Sequence, residues 1–230
     1  MRILKYTVLA LPVLIWLFWV LAPSDRTYRM TDLPWQHEVL ANGDLKVFGL
    51  TLGQSILQEA RVKVAKPASV GLFQNPDNEL ALEAYFENVL LSGLRVGLIC
   101  EVEATQAQLI EFAKRNVSRS PMPSGSLKYE LTEADLNTIV DWKIRSLNYL
   151  PTINWEPELL LRRFGLPDEK ITLKENIAYW LYPKQGLAIT VDDEGKELMQ
   201  YVRPADFGRI RAEIEKQVAT EEKAAREESE

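Results

Sequence analysis

The chain has 230 residues, 47% apolar and 26% charged, which is enough to bury a core and far from the composition of a disordered protein. A net charge of −6 argues against a nucleic-acid partner, which requires a basic stripe to neutralise phosphates. One cysteine excludes an internal disulfide, and a lone histidine without clustered cysteines argues against a zinc site; no cofactor or metal is expected.

The first element is residues 1–23. Tyr6 to Ala22 carries no charge and is almost wholly apolar, near the short end of the roughly 17–25 residues that span a bilayer. Arg2 and Lys5 precede it and keep the N-terminus cytoplasmic, while Trp16 and Trp19 suit the far interface. The rival reading is a cleaved signal peptide ending at Ala22, but Pro23 is poorly accepted after a scissile bond. We therefore read a single-pass anchor in a bacterial inner membrane. The lipid bilayer is the first expected partner, and the bulk of the chain is expected in the periplasm.

Residues 24–46, with His37, read as a linker, and residues 47–125 as a first α+β module. Ser55 is placed to cap a short helix with Ile56, Leu57, Ala60 and Val64 on one side. "ASVGLFQ" and "LALEAYFE" read as strands, and "NVLLSGLRVGLICEVE" as further strand bent at Gly93. Cys100 lies in its alternating part, where a core thiol is favoured over a reactive one. Thr105 opens a helix, and "SRSPMPSGS" reads as a loop and the seam between halves.

Residues 126–204 form the second module. Thr132 caps a short helix and "WKIRSLNYL" is a strand. In "EPELLLRRFGLPD", Pro157 suits a first helical turn, Gly165 a left-handed C′ position, and Pro167 prevents continuation. "IAYWLYP", "GLAITVDDEG" and "KELMQYVRP" are strands. "FGLPDEK" lacks the glycines and Lys-Ser/Thr pair of a phosphate loop, and "VDDEG" reads as a hairpin turn, not a calcium loop. Residues 205–230 are a charged helix and tail with Phe207, Ile210, Ile214 and Val218 in one stripe.

Four carboxylates, Glu83, Glu87, Glu101 and Glu103, could be paired for catalysis; a solvated strand face is the expectation, and no catalytic residue is assigned. The candidate binding residues are aromatic or apolar. Tyr179, Trp180, Tyr182 and Tyr201 are either core or an exposed binding patch, and Phe207, Ile210 and Ile214 either dock the tail or bind a partner. The halves also run in parallel: Ala84-Tyr85-Phe86 matches Ala178-Tyr179-Trp180, and Gly93-Leu94 matches Gly186-Leu187. The fold expected is therefore α+β, a transmembrane helix followed by a tandem repeat of short helix plus antiparallel sheet, and a C-terminal helix.

Phe164, Gly165, Pro167, Tyr179, Trp180, Tyr182 and Gly195 form a pattern of helix, Gly-x-Pro, aromatic strand and acidic-Gly turn. It resembles the small envelope lipoproteins of the SmpA/OmlA type, and the tandem arrangement is similar to the β-lactamase-inhibitor-protein fold. This chain has an apolar run where that family has a lipidated cysteine, and Gly49 to Ser55 where it has Gly-Met-Thr. The resemblance implies a fold type and a non-catalytic scaffold or binder. The function expected is assembling, stabilising or tethering an envelope protein complex through other membrane or envelope proteins. A ligand-sensing or substrate-binding ectodomain is the alternative, and a carboxylate-based hydrolase comes third.

Overall fold

The computed structural model describes residues 31–227. The expected anchor, with Arg2, Lys5, Trp16 and Trp19, lies outside them. Among the described residues no helix is long and apolar enough to cross a membrane.

The fold is mixed α+β. Strands β1 (Glu38–Val39), β2 (Leu45–Val47) and β3 (Leu50–Thr51) make a small antiparallel sheet. Then follow α1 (Leu57–Val64), β4 (Ser69–Gln74), β5 (Leu80–Leu91), β6 (Leu94–Val102), α2 (Gln106–Lys114), β7 (Ser118–Pro121), β8 (Leu127–Glu130), α3 (Glu133–Ile139) and β9 (Ile144–Pro151). The rest is α4 (Pro157–Phe164), β10 (Glu169–Lys174), β11 (Ile177–Tyr182), β12 (Leu187–Asp192), β13 (Leu198–Val202) and α5 (Phe207–Glu227). Ten strands pair antiparallel in the order β10-β11-β12-β13-β9-β6-β5-β4-β8-β7. A helix leads into a meander twice, α1 into β4-β5-β6 and α4 into β10-β11-β12-β13, with β9 between β6 and β13.

Alternation along the strands assigns the two faces. Leu82, Ala84 and Phe86 of β5, Leu98 and Cys100 of β6, Tyr149 of β9 and Tyr201 of β13 point into the main core. There they meet Leu57 and Ala60 of α1, Phe112 of α2 and Leu160 and Phe164 of α4. On the outer face of β11–β13, Tyr179, Leu181, Ala188 and Val202 are sealed by Phe207, Ile210 and Ile214 of α5. Each leucine, isoleucine, valine or phenylalanine among them contributes about 2 kcal/mol by leaving water.

Several local expectations change. Of the expected linker, residues 24–30 lie outside the described residues, and residues 31–46 pack onto the domain: Leu45 is fully buried, and the Tyr201 hydroxyl donates to the Pro34 carbonyl at 2.9 Å. Phe48 stacks on Tyr149 with ring centres 5.4 Å apart, and His37 meets the Tyr201 ring at 5.7 Å. "SRSPMPSGS" is no seam, since it supplies β7 and its turn, and β8 pairs with β4. Gly93 does not bend a strand. Ser92 and Gly93, both at positive φ, form a two-residue hairpin turn. Ser55 does not cap α1; its hydroxyl accepts from the Thr51 N–H instead. Gly165 has φ 82° and ψ −172°, a region open essentially to glycine but not the left-handed helical one. The caps at Thr105 and Thr132 form as expected, each hydroxyl accepting a backbone N–H of its own helix.

Candidate functional site

The residues singled out as aromatic or apolar binding candidates are core residues. Tyr179, Trp180, Tyr182, Tyr201, Phe207, Ile210 and Ile214 are all buried. The strand alternation separates them as expected, but both faces are covered: Trp180, Tyr182 and Tyr201 enter the main core, while Tyr179 lies under α5 and donates to Gln217 at 2.6 Å. The docking stripe of α5 consumes Phe207, Ile210 and Ile214 in the same way. None of the seven is offered to a partner in this conformation.

What is offered lies further along the same face. Helix α5 seals β11–β13, whereas over β5, β6 and β9 it only borders the sheet. The result is a groove of about 860 Å³ between α5, the β4–β5 turn and the β7–β8 turn. Phe73 and Met122 supply its apolar lining, and Ala81, Glu83 and Glu101 its floor. It narrows beneath α5 to an inner recess of about 130 Å³, which adds Ser146, Asn148 and Gln200. Lys216 of α5 pairs with Asp77 in the β4–β5 turn and closes one end.

The recess is built around Glu101. Arg209 of α5 clamps it with two hydrogen bonds of 3.0 and 2.6 Å, and the Ser146 hydroxyl donates at 2.7 Å. Arg145 adds an ion pair at 3.7 Å. With 15% of its side chain exposed, Glu101 is not on a solvated strand face. Glu103 follows the end of β6 and is more open, 3.9 Å from Arg203. Glu87 is exposed at a bulge in β5, away from the groove.

Glu83 is the uncompensated member. The β5–β6 register sets it directly opposite Glu101, and no ion pair reaches it among the described residues. Burial holds its carboxyl above the ordinary carboxylate range, and the neighbouring Glu101 and Glu213 push it further. Burial raises Glu213 as well; Arg209, 3.6 Å away, pulls it down, while Glu101 and Glu79 push it up. The Arg209 Nε is buried with no acceptor. The uncompensated carboxyls of Glu83 and Glu213 favour an incoming ammonium or guanidinium, which would restore their ionised form, whereas the orphaned Arg209 N–H calls for an acceptor.

Elsewhere, His37 bridges the Pro34 carbonyl and Gln185, and burial lowers its pKa. Cys100 is fully buried, and burial pushes its thiol far up, as suits a core residue. Among the described residues no three His, Cys, Asp or Glu side chains are arranged to hold a metal.

No family model, curated protein or solved structure matches this chain.

Sequence reasoning misses the groove because its parts come from β5, β6, β9 and α5. A signal is present in the Ser92-Gly93 turn, which folds β5 onto β6 and brings their glutamates to one face. Without the bulge at Glu87–Asn88, however, the same turn would set Glu83 opposite Val102.

Proposed function

We propose that this is a non-catalytic protein of the bacterial envelope. Residues 6–22 anchor it in the inner membrane, and the folded domain lies in the periplasm. There it assembles, stabilises or tethers a membrane complex by holding a partner protein's segment in the outer-face groove. The observation that carries this reading is that α5 covers only part of the sheet and leaves a groove with Glu83 lacking a cation. A basic side chain on an extended partner segment fits that recess, and Phe73 and Met122 suit its apolar neighbours. The repeated order of helix and meander supports the further reading that the domain is a tandem duplication. The resemblance to the SmpA/OmlA and β-lactamase-inhibitor-protein types is part of the same proposal.

The experiment is purification of the full-length chain from its native membranes in mild detergent, beside a Glu83→Lys/Glu213→Lys variant. A stoichiometric complex that the variant loses, and that a Glu59→Lys control on α1 keeps, is the expected result. A chain that comes out alone, or a complex indifferent to the groove charges, sinks the proposal. The narrow inner recess favours one second reading, a small organic cation as ligand. Thermal stabilisation of the purified chain by such cations, lost in Glu83→Gln, would select it.

A further inference from the structure

One corner of the domain gathers around Thr31 and Asp32. The Ser92 hydroxyl, in the β5–β6 turn, donates to the carbonyls of Thr31 and Asp32 at 2.6 and 2.9 Å. Asp32 in turn pairs with Lys63 of α1 at 2.5 Å. Lys66, just past α1, donates to the carbonyls of Glu87 and Asn88 in the β5 bulge. Arg95 of β6 reaches the Asn88 side chain at 3.2 Å, and Thr152, after β9, donates to the Arg95 carbonyl at 2.9 Å. The end of α1, the β5–β6 tip and the segment after β9 therefore meet in one place.

Charge and exposure there depart from the rest of the chain. Arg61, Lys63, Lys66 and Arg95 stand against Asp32, Glu59 and Glu87, in a protein whose net charge is −6. On the same three elements Val62, Leu90 and Ile153 are 70%, 66% and 63% exposed. Leu90 is paired directly across from Arg95. Aliphatic tips among cations are poorly suited to bulk water. They are well suited to a lipid interface, where the cations meet phosphates and the aliphatics reach the acyl boundary.

We propose that this corner is a membrane-contact surface that lays the domain on anionic lipid headgroups. The inference rests on the reading of residues 6–22 as an anchor. Thr31 follows Ala22 by nine residues, a reach of about 30 Å when fully extended. On that reading the tether keeps the corner within this reach of the bilayer, and its Arg26 and Arg29 add two cations against one anion, Asp25. The contact fixes which way the groove faces: the β7–β8 turn, where Ser124 lies, is at the opposite end of the strands from the β5–β6 tip. One rim of the groove then points away from the lipid, toward the interior of the envelope.

The test uses the full-length chain in liposomes of phosphatidylcholine alone and of phosphatidylcholine mixed with phosphatidylglycerol. A fluorophore is attached through Leu90→Cys or, as the control, Ser124→Cys; the buried Cys100 does not compete for label. Nitroxide lipids spin-labelled at the headgroup serve as quencher. The expected result is strong quenching at position 90 in the phosphatidylglycerol liposomes, weak quenching in phosphatidylcholine alone, and none at position 124. Arg61→Glu with Arg95→Glu should abolish it, as should salt that shortens the screening length from about 10 to about 3 Å. Circular dichroism of the variant checks that it is folded. Equal signals at positions 90 and 124 overturn the proposal. So does the absence of quenching at 90 in a chain that survives alkaline carbonate washing, an outcome that leaves the anchor standing. A chain that carbonate strips from the liposomes overturns the anchor, and this contact with it.

Discussion

Glu83 shows how a single side chain can tie stability to pH. Its folded-state pKa is raised by burial and by two neighbouring carboxylates, so the fold retains a proton that the unfolded chain has already released. The stability linked to that proton is complete below the ordinary carboxylate range and is lost as pH rises through the folded value. Glu83→Gln should therefore be more stable than the parent at neutral pH, with the advantage vanishing in acid; urea unfolding at a series of pH values measures it. The reverse sign belongs to Asp135. Hydrogen bonds from Arg115, at 2.7 and 2.9 Å, hold its carboxyl below the usual range despite its burial. Its stabilisation is present above the unfolded value and is lost as pH falls through the folded one. Two glycines contrast in another way. A Cβ on Gly186, at φ 63°, would overlap the Val202 carbonyl oxygen. Gly186→Ala should cost more than about 3 kcal/mol. A Cβ on Gly165 would meet nothing within 4 Å, but the residue sits at φ 82°, so Gly165→Ala should cost roughly 1–3 kcal/mol from backbone strain alone. Thermal unfolding of both variants separates clash from strain.

At the scale of elements, α5 behaves as two parts. Phe207, Ile210 and Ile214 are buried against β11–β13, whereas from Thr220 onward the described helix is almost entirely exposed. Ile210→Ala or Ile214→Ala should destabilise by about 2–4 kcal/mol, while ending the chain after Val218 should cost under about 1 kcal/mol; chemical denaturation of the three variants checks both. This stripe is legible in the sequence, because apolar spacing of three and four residues has a single helical reading. The helices opened by Thr105, Thr132 and Pro157 are legible too, since each carries its cap or its first-turn proline. Strand β10 is not. Lys170, Thr172 and Lys174 are exposed on it, and its apolar members Ile171 and Leu173 are only half covered. Its identity as an edge strand depends on α5 and β11 rather than on its own composition. Residues 31–46 escape a local reading for a related reason. Trp35 and His37 stand among polar neighbours in the sequence, yet each finds an aromatic partner far along the chain, at Trp155 and Phe164. The groove lies beyond both kinds of inference, because its floor and its border are joined only by long-range packing.

In the whole molecule, one sheet passes through both halves. Strand β9 pairs with β6 on one side and with β13 on the other, and the main core draws residues from both halves, from β2 to β13 with β7 and β10 excepted. The two halves should therefore unfold together. Urea transitions followed by tryptophan fluorescence and by far-ultraviolet circular dichroism should coincide, and two separate midpoints would contradict a shared core. The segment from Thr31 to Pro34 has a mechanical meaning as well. Thr31 and Asp32 are bound by Ser92 of the β5–β6 turn, Asp32 is tied to α1 through Lys63, and the Pro34 carbonyl is held by Tyr201 of β13. Tension applied at Thr31 thus reaches a hairpin tip, a helix and a central strand at once. Load entering the protein there is distributed across the middle of the sheet, so a tug from the N-terminal side meets resistance in parallel instead of unzipping one edge strand at a time.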